Sequence, residues 1–584
     1  MRALDRILKG RGGSQLLPLV ALIRGMFRNG EQGVWYDPSD LTTLYQDAAG
    51  TTPVTAVEQP VGLMLDKSKG LVMGPELVVS QDLTNAQWAQ LPATPASTTT
   101  ATTLTFGGQF SGRADTISVT SGKTYLFSFE VRRVSGNTNL RIFYDSIQQT
   151  NGAVDFTVDG NWKTVSRVVF ATSTLVDFGW QDRNASGHGT IELRNISVRE
   201  LPGNHAFQST SASRPVLSAR YNLLTKTEQF DDAVWIKQSA SITPNSILAP
   251  NGTLTADQHT STGTNSNIYQ VPGAFSSGVN YTLSRYVKAG SKSFCTVGLH
   301  GLSDAYFDLT NLTYSFSGTG AVSASIEDVG DGWRKVSATF VWGSGTTYRA
   351  YFAIASSLSS QVVSVDDYIY LWGGQLIVTN DGVGIPAYQR VNTSTDYDTA
   401  GFPLYLKTDG VDDWMQTNSI NFTSTDKMTV WAGVRKLVSN VNSVFLELST
   451  DVANAGTFAI FPTLSGGGDK LYLAQNKGSV VQGNTGNITN PSSFLLTQII
   501  DFAQETLDGE LAARINGTPT VLTYSGSASG TRNFGNYPLY LFRRGGTSLP
   551  FNGRMYGLIV RGAQSTASQI ASGEKYINSK TKAY

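Results

Sequence analysis

Cysteine is nearly absent from this chain: Cys295 is the only one in 584 residues, which excludes an internal disulfide framework. The four histidines, His188, His205, His259 and His300, are scattered without the spacing of a zinc site. The chain has 44 basic and 44 acidic residues, so it lacks the excess of positive charge that is typical of nucleic-acid-binding proteins. Such a chain folds without oxidation, which suits assembly in a cytoplasm.

Long apolar runs are also missing, and only the N-terminus is a candidate targeting segment. Its first 29 residues carry six basic side chains and one acidic, and the apolar stretch Leu16–Ile23 is far too short to span a membrane. The residues after it, beginning with Arg24, do not fit the cleavage site of a signal peptide. We expect an amphipathic helix that turns one face towards a partner. That face consists of Leu16, Leu19, Val20 and Ile23.

Two parts of the chain share an ordered series of matches. The phrase "DLTNAQWAQL" matches "QFDDAVWIKQ", and "DGNWKTVSRVVF" matches "GDGWRKVSATFV", with loops that lengthen in the second part. The matched pairs are Trp88 with Trp235, Tyr125 with Tyr281, and Trp162 with Trp333. Ordered matches at domain-sized separation indicate two copies of one domain.

Within each copy, apolar and polar residues alternate with period two. In "TYLFSFEVRRV" one face carries Tyr125, Phe127, Phe129 and Val131. The 59 glycines, with many Ser, Thr and Asn residues, supply turns between such strands. This pattern predicts antiparallel β-sandwiches.

Residues 222–380 carry four phrases in a characteristic order. The stretch "NLLTKTEQFDDAVW" opens it, "YTLSRYVK" and "DGWRKVSATF" follow, and "YIYLWGGQL" closes it. This order resembles the carbohydrate-binding-module-like jelly rolls of phage and prophage tail proteins. Residues 76–201 resemble them through the internal repeat.

The last part of the chain has a different character. Its phrases "LYLKTDGVDDWMQT" (Leu404–Thr417) and "FNGRMYGLIVRG" (Phe551–Gly562) resemble the concanavalin A-like, laminin-G-type sandwich. The closing phrase "STASQIASGEKYINSK" places Ile570, Tyr576 and Ile577 at helical spacing.

The N-terminal block at 32–70 resembles the leading segment of phage virion proteins, in which "LDKS" runs directly into "GNHA". Here "LDKSKG" ends at Gly70, whereas "GNHA" begins at Gly203. The resemblance therefore implies that the first jelly roll is inserted into that segment.

Together these features predict a mainly β chain of several antiparallel sandwiches with a short helical N-terminal attachment segment. The predicted domains are an attachment region at 1–75 continued at 202–221, jelly rolls at 76–201 and 222–395, and a concanavalin A-like domain at 396–584.

Aromatic residues outside the repeated pattern are the candidates for ligand binding. Tryptophans at repeated positions are typical of core packing, whereas Trp180 and Trp342 stand outside the repeat. An indole stacks on the C–H face of a sugar and needs amide or carboxylate groups beside it. The predicted ligand-binding residues are Trp180, Asp182, Asn184, Trp342, Tyr348 and Tyr351, with Arg183 as a further neighbour. Core packing stays open as the alternative for both tryptophans.

Three carboxylates crowd the phrase "DGVDDW", at Asp409, Asp412 and Asp413. Calcium prefers such oxygen ligands, so this turn is a candidate calcium site. The spacing is not that of an EF-hand, and a tight turn that leads into a strand explains the same residues.

The sequence favours binding over catalysis. Residues 400–584 lack the facing carboxylates of a glycanase strand, and the chain has no G-x-S-x-G elbow. The resemblances imply a phage virion protein, assembled in the host cytoplasm, of the tail fibre or receptor-binding type. Its partners are then other virion proteins, through the N-terminal region, and a host surface glycan or protein. A homo-oligomer is expected, with a trimer favoured, and neither nucleic-acid binding nor a membrane span is expected.

Two alternatives remain. One is a head-surface fibre or decoration protein, and the other is a polysaccharide-degrading enzyme with binding modules.

Overall fold

The computed structural model describes residues 13–144, 154–343, 348–379, 387–439, 441–488, 492–530 and 532–584, and their secondary structure is mainly β, as predicted. The α-helices are α1 (Gly13–Gly25), α2 (Leu507–Glu510) and α3 (Ala567–Thr581), and Leu41–Thr43 and Ser211–Ser213 form 3-10 turns. The first strands are β1 (Gly33–Tyr36), β2 (Leu44–Tyr45) and β3 (Leu63–Met64).

The strands of the first repeat copy and of the segment after it come next. The first copy contains β4 (Ala89–Gln90), β5 (Thr98–Thr99), β6 (Thr103–Thr105), β7 (Gly112–Ser118), β8 (Thr124–Ser135), β9 (Asn139–Phe143), β10 (Val154–Thr157), β11 (Lys163–Phe170), β12 (Leu175–Asp182) and β13 (Thr190–Glu200). The connecting segment contains β14 (Ala206–Phe207) and β15 (Val216–Ser218).

The second copy and the C-terminal part hold the remaining strands. The second copy contains β16 (Ile236–Gln238), β17 (Ala240–Ile247), β18 (Ala256–Ser261), β19 (Asn267–Gln270), β20 (Val279–Ala289), β21 (Phe294–Leu299), β22 (Ser303–Asp308), β23 (Thr313–Gly318), β24 (Ala321–Gly330), β25 (Trp333–Trp342), β26 (Ala350–Ala355) and β27 (Tyr368–Val378). The C-terminal part contains β28 (Tyr405–Asp409), β29 (Met415–Gln416), β30 (Ile420–Asn421), β31 (Lys427–Lys436), β32 (Leu446–Leu448), β33 (Thr457–Phe461), β34 (Lys470–Asn476), β35 (Val480–Asn487), β36 (Ser492–Asp501), β37 (Leu511–Ile515), β38 (Thr518–Thr520), β39 (Thr523–Gly526), β40 (Asn536–Tyr537), β41 (Leu539–Leu541) and β42 (Asn552–Arg561).

The first jelly roll is formed by two five-stranded antiparallel sheets. Their strand orders are β10-β9-β12-β7-β4 and β11-β8-β13-β6-β5. Alternate residues of β8 are buried between the sheets, because successive side chains of a strand point to opposite faces. These residues are Tyr125, Phe127, Phe129 and Val131, as the period-two pattern predicted.

The second jelly roll has the same plan with one added strand on each sheet. Its orders are β16-β19-β26-β21-β22-β23 and β17-β18-β27-β20-β25-β24. Without the edge strands β23 and β24, each remaining strand has a counterpart in the first jelly roll at the same place in the order.

The tryptophans that open the two copies occupy the same place. Trp88 Nε1 donates to the carbonyl of Ser80 at 3.1 Å, and Trp235 Nε1 donates to the carbonyl of Lys226 at 2.8 Å. Both indoles are 1% exposed. The predicted equivalence of Trp88 with Trp235 is confirmed by these matching hydrogen bonds.

Equivalent strands also share their register and one irregularity. Trp162 immediately precedes β11, and Trp333 begins β25 at the same register position. The last strand of each copy carries a β-bulge, and a residue with positive φ lies in it: Asn195 at 53° and Gly373 at 64°. The bulge is therefore part of the repeated unit and marks equivalent positions on the two outer faces.

The C-terminal sandwich includes strands from the N-terminal part of the chain. Its eight-stranded sheet has the order β15-β28-β42-β31-β36-β37-β38, with β1 also paired to β42, and its ten-stranded sheet has the order β2-β3-β14-β29-β41-β32-β33-β34-β35-β39. Val34 and Tyr36 of β1 lie in the same core as Val560. Strands β1–β3, β14 and β15 thus complete the two sheets of this sandwich, so 1–75 and 202–221 are not a separate structural unit. An attachment role for these residues stays a prediction.

Helix α1 packs within the chain. Leu19 and Ile23 are buried in one cluster with Trp431, Tyr576 and Ile577, which brings α1 against α3 and the eight-stranded sheet. The described part of the apolar face predicted to meet a partner is thus covered by the chain itself. Among the side chains described in this helix, Leu22 is a large apolar one that is exposed. Residues 1–12 and the side chain of the predicted Leu16 lie outside the described part of the chain. No helix within the described ranges has the length and apolar character needed to cross a membrane.

The chain rejoins itself across the first jelly roll. The buried carboxylate of Asp66 accepts the backbone N–H of Asn204 and that of Trp35, each at 2.8 Å, and the Asp66 N–H donates to His205 Nδ1 at 3.0 Å. Strand β3 also pairs with β14. The phrases "LDKS" and "GNHA" therefore meet in space, as expected if the first jelly roll is an insertion.

Candidate functional site

The outer face of the sheet β16-β19-β26-β21-β22-β23 carries a row of tyrosines and polar groups. Tyr269 on β19 lies opposite Tyr351 on β26, Tyr351 lies opposite Gly298 on β21, and Gly298 lies opposite Asp304 on β22. We name this surface the tyrosine face. It consists of Tyr269, Asp304, Tyr306, Arg349, Tyr351 and Gln361, together with the backbone of Gly298.

Tyr351 is held in place from two sides. A Cβ atom at Gly298 would lie 2.6 Å from three atoms of the Tyr351 ring end, so the ring lies directly over this glycine. Its hydroxyl donates to Asp304 Oδ1, and Gln361 Nε2 donates to Asp304 Oδ2 at 3.2 Å and to the Tyr351 hydroxyl at 3.3 Å. Burial, and then the charge of Asp304, raise the pKa of Tyr351, so its hydroxyl stays a donor.

The ends of the row are also ordered. The guanidinium of Arg349 lies 4.6 Å from the ring centre of Tyr269, a cation–π contact. The Tyr306 hydroxyl lies 3.4 Å from Asp304 Oδ2, which gives this carboxylate a third contact. The side chains are therefore fixed before any ligand arrives, which lowers the entropy cost of binding.

This arrangement has the chemistry of saccharide recognition. Fixed aromatic rings present flat apolar surfaces to the C–H faces of a sugar, and carboxylate, amide and guanidinium groups bind its hydroxyls. Tyr269, Tyr351, Asp304, Arg349 and Gln361 are all partly exposed. The face can bind a ligand, and it holds no pair of facing acids arranged for bond cleavage.

The structure places Trp180 inside the first jelly roll. Val176, Phe178 and Trp180 alternate inward along β12, and the Trp180 ring, 0% exposed, lies 5.3 Å from that of Trp88. A sugar cannot stack on a ring that has no exposed surface. Trp180 is therefore corrected to a core residue, the alternative that the sequence had left open.

The polar neighbours of Trp180 stabilise their own loop. Asp182 is 0% exposed, accepts the backbone N–H of Asn184 at 2.9 Å, and pairs with His188 Nδ1 at 2.5 Å. The guanidinium of Arg183 lies 5.2 Å from the Phe110 ring. The predicted binding role of Asp182 is therefore wrong, because its carboxylate is buried and stabilises the loop. Asn184 is partly exposed, and a binding role for it stays a prediction.

Trp342 and Tyr348 lie at one end of the second jelly-roll core. Trp342 is 3% exposed, and its ring lies 4.9 Å from Phe275 and 5.6 Å from Tyr348. Trp342 is corrected to a core residue for the same reason as Trp180. Tyr348 keeps partial exposure, so its role stays a prediction, and Tyr351 alone of this predicted group belongs to the tyrosine face.

The predicted acidic turn does bring its carboxylates together. One carboxylate oxygen each of Asp409, Asp412 and Asp413 lie within 4.8 Å of one another. Burial, and then the charge of Asp409, raise the pKa of Asp413 to about 7, while Ser213 Oγ donates to Asp412 at 2.7 Å. An all-oxygen set of this kind is what Ca²⁺ prefers, and calcium binding here stays a prediction.

Sequence reasoning missed most of the tyrosine face. Tyr269 and Tyr306 stand in the short phrases "NIYQ" and "SDAYFD", where each alternates with inward apolar residues. That alternation was a usable signal. The pairing of β19, β26, β21 and β22, which makes one row from four distant segments, was not visible in the sequence.

No protein-family model and no curated protein matches the chain. Among solved structures, the N-terminal CBM22-1-CBM22-2 tandem domain of Xyn10C from Paenibacillus barcinonensis is 13% identical, covers 52% of this chain and 98% of its own, and has a TM-score of 0.23. The native heptameric SAP-like pentraxin of Limulus polyphemus is 11% identical, with 29% and 78% covered and a TM-score of 0.22. Trypanosoma rangeli sialidase in complex with sialic acid is 8% identical, with 83% of both chains covered and a TM-score of 0.21. Likenesses at these scores carry no argument about function.

Proposed function

We propose that this protein is an adhesion protein that binds a glycan through the tyrosine face of its second jelly roll. The observation that carries the proposal is the ordered row Tyr269, Tyr351, Gly298 and Asp304, with Gln361 bonded to both Tyr351 and Asp304. Four neighbouring strands at sheet spacing give the row a length of roughly 14 Å, enough for more than one sugar ring.

Binding of this kind depends on stacking and directed hydrogen bonds. The chain has 44 basic and 44 acidic residues, so long-range attraction to a charged surface contributes little. Shallow sites of this type are individually weak and gain strength when several act together. We therefore propose a homo-oligomer, with a trimer as the favoured state.

We extend the proposal to a phage virion, in which the chain is a tail fibre or receptor-binding protein assembled in the host cytoplasm. The support is the sequence resemblance of 32–70 and 222–380 to phage virion segments. A head-surface fibre or decoration protein fits the same support. In each case the ligand is a host surface glycan, or a protein that carries one.

We also propose that the glycan is bound without being cleaved. The carboxylate of the tyrosine face, Asp304, is engaged by Tyr351, Tyr306 and Gln361, which leaves it poorly suited to proton transfer. Incubating the full chain with host capsule and measuring reducing ends tests this point. A rise in reducing ends would favour the polysaccharide-degrading alternative.

The main test replaces Tyr351 with alanine in the full chain. Tyr314→Ala is the matched control, because Tyr314 lies on the neighbouring β23 of the same sheet and is 45% exposed. We expect Tyr351→Ala to weaken binding to a glycan array and to host cells at least about tenfold, equal to about 1.4 kcal/mol. Tyr351→Phe, which keeps the ring, should lose less.

Two results would overturn the proposal. One is unchanged binding by Tyr351→Ala in a protein that still unfolds at the wild-type temperature. The other is an equal loss of binding in Tyr314→Ala, which would show that the tyrosine face is not the site.

A further inference from the structure

A shallow cavity of about 450 Å³ lies beside the β-bulge on the outer face of the first jelly roll, on the sheet that contains β13. We name it the bulge socket. The residues that define it are Glu76, Gln81, Thr102, Arg194, Asn195 and Arg199.

The equivalent place in the second jelly roll is filled by a ring of the chain itself. The ring of Tyr388 lies 4.9 Å from Trp372 and 6.1 Å from Tyr286, directly above the bulge. Its hydroxyl is bonded to Thr227 Oγ1 at 2.7 Å and donates to Glu228 Oε1 at 3.1 Å. This position therefore accepts a six-membered ring that carries a hydroxyl group.

The two places are equivalent residue by residue. Arg194 lies opposite Glu130 in the first copy, as Trp372 lies opposite Tyr286 in the second, and each pair immediately precedes the bulge. At the bulge itself, the Ile196 N–H donates to the Gln81 side chain at 2.8 Å. In the second copy, the equivalent Gly374 N–H donates to the backbone carbonyl of Thr227 at 3.0 Å.

The chain leaves the first socket open because its path differs after the bulged strand. From β13 it enters the C-terminal sandwich, where Leu201 is buried with Leu63 and Leu65. In the second copy the segment with Tyr388 crosses back over the bulge, and Gln389 accepts the N–H groups of Tyr221 and Asn222 there.

The open socket is lined by both apolar and charged groups, and its charged groups are paired with one another. Arg199 Nε donates to Glu76 at 3.0 Å, and Arg194 Nε donates to Glu130 at 2.6 Å. The Arg194 guanidinium also lies 3.9 Å from the Trp162 ring. Paired guanidinium and carboxylate groups beside amides bind hydroxyls without favouring a charged ligand.

We propose that the bulge socket binds one saccharide ring of a glycan, in the place that Tyr388 fills in the second jelly roll. The site lies on the other copy and on a different sheet from the tyrosine face. It is therefore a second binding site, and it does not depend on the first.

The test titrates the full chain with glucose, galactose, N-acetylglucosamine, rhamnose and glucuronate in turn. Binding is followed by hydrogen exchange in the peptides that carry Thr102 and Asn195, read by mass spectrometry. Thr102→Tyr places a ring in the socket from an exposed position, and Ala101→Tyr, one residue away, is the matched control. We expect saturable binding with a Kd of about 1 mM for at least one sugar. Thr102→Tyr should weaken it at least about tenfold, and Ala101→Tyr should leave it unchanged.

The outcomes separate the two sites. Loss of the signal in Tyr351→Ala together with its survival in Thr102→Tyr would overturn the bulge socket and leave the tyrosine face standing. Survival of the signal in Tyr351→Ala together with its loss in Thr102→Tyr supports the bulge socket, whether or not the tyrosine face binds a glycan. Arg199→Ala, which removes one wall without adding volume, replaces Thr102→Tyr if that variant fails to fold.

A peptide with the sequence of residues 387–392, AYQRVN, tests the other occupant. If the peptide binds at the socket and none of the sugars does, the saccharide proposal is wrong and the socket is a docking point for polypeptide. If neither binds, the proposal is equally wrong.

Discussion

The two jelly rolls share their strand order, register and bulge, yet their outer faces differ. In the second copy, Trp333 is 1% exposed and clusters with Trp372, which Tyr388 covers. In the first copy, Trp162 is partly exposed and lies 4.9 Å from Arg132 and 3.9 Å from Arg194. Most of the shared residues fill the space between the sheets, where close packing restricts changes of volume. The surroundings of the shared Trp162 and Trp333 differ on the outer faces, where solvent allows changes.

The largest effect is expected from the cores that the copies share. Trp180 packs against Trp88 at 5.3 Å, and its counterpart Phe352 packs against Trp235 at 5.6 Å. Trp180→Ala and Phe352→Ala should each destabilise its own jelly roll by about 3–5 kcal/mol, because each empties a large part of a dry core. Hydrogen exchange read by mass spectrometry reports the two domains separately.

If Trp180→Ala instead kept full protection and lost only host attachment, Trp180 would be a ligand residue. Its equivalence with Phe352 would then fail.

A smaller effect should separate the tryptophans that occupy equivalent positions. Trp333→Ala removes a buried indole whose Nε1 donates to the Leu248 carbonyl at 3.1 Å, and should cost about 3 kcal/mol. Trp162→Ala removes a partly exposed ring that lies against Arg132 and Arg194, and should cost about 1 kcal/mol. The same exchange experiment measures both, and equal losses would show that the outer faces do not differ energetically.

Much of the fold was predictable from the sequence, for a physical reason. Period-two alternation in β8 and the repeated Trp88 and Trp235 follow from local geometry and from burial between sheets, so they are visible along the chain. Helix α3 was visible too, since Tyr576 and Ile577 are buried at the predicted spacing.

The rest depended on pairings between distant segments. Pairing of β1 with β42 brings the N-terminal strands into the C-terminal sandwich, and a one-dimensional pattern cannot choose that partner. The same limit hid the tyrosine face. It also made Trp180 look exposed, because the polar residues that follow it in the sequence do not reveal the distant Trp88 and Phe129 that cover it in space. Only Tyr351 of the predicted residues joined that face.

Lowering the pH should destabilise the second jelly roll at one buried position that differs between the copies. His259 is 0% exposed, and its counterpart in the first jelly roll is Leu104, opposite the equivalent isoleucine. Burial, and then the charge of Arg285, lower the pKa of His259 to about 3. The unfolded chain takes up the proton near pH 6.5, so stability is fully present above that pH and is lost as the pH falls towards 3.

At pH 5 this loss should amount to about 2 kcal/mol in the second jelly roll. His259→Leu, which copies the first jelly roll, should remove it, and the difference between variant and wild type cancels the opposite contribution of Asp257, whose pKa burial raises to about 6. Urea unfolding at pH 7 and pH 5 measures the effect. An unchanged pH dependence in His259→Leu would assign the acid sensitivity to another group.

The smallest effect is expected at the bulges. Gly373 has a φ of 64°, and a Cβ there would lie 3.0 Å from the Tyr286 ring, so Gly373→Ala should cost about 1 kcal/mol through backbone strain and crowding. Asn195 adopts nearly the same φ with no equivalent ring above it, so Asn195→Gly should change stability by less than about 0.5 kcal/mol.

The urea concentration at which each jelly roll unfolds, read for each domain by hydrogen exchange, measures both effects. Because φ is nearly the same in the two bulges, a large cost at Gly373 and a small change at Asn195 would point to the rings of Tyr286 and Tyr388 that pack over Gly373, and not to the bulge itself, as the cause. A large change at both would place the rigidity in the bulge and remove the reason for treating the first socket as open to a ligand.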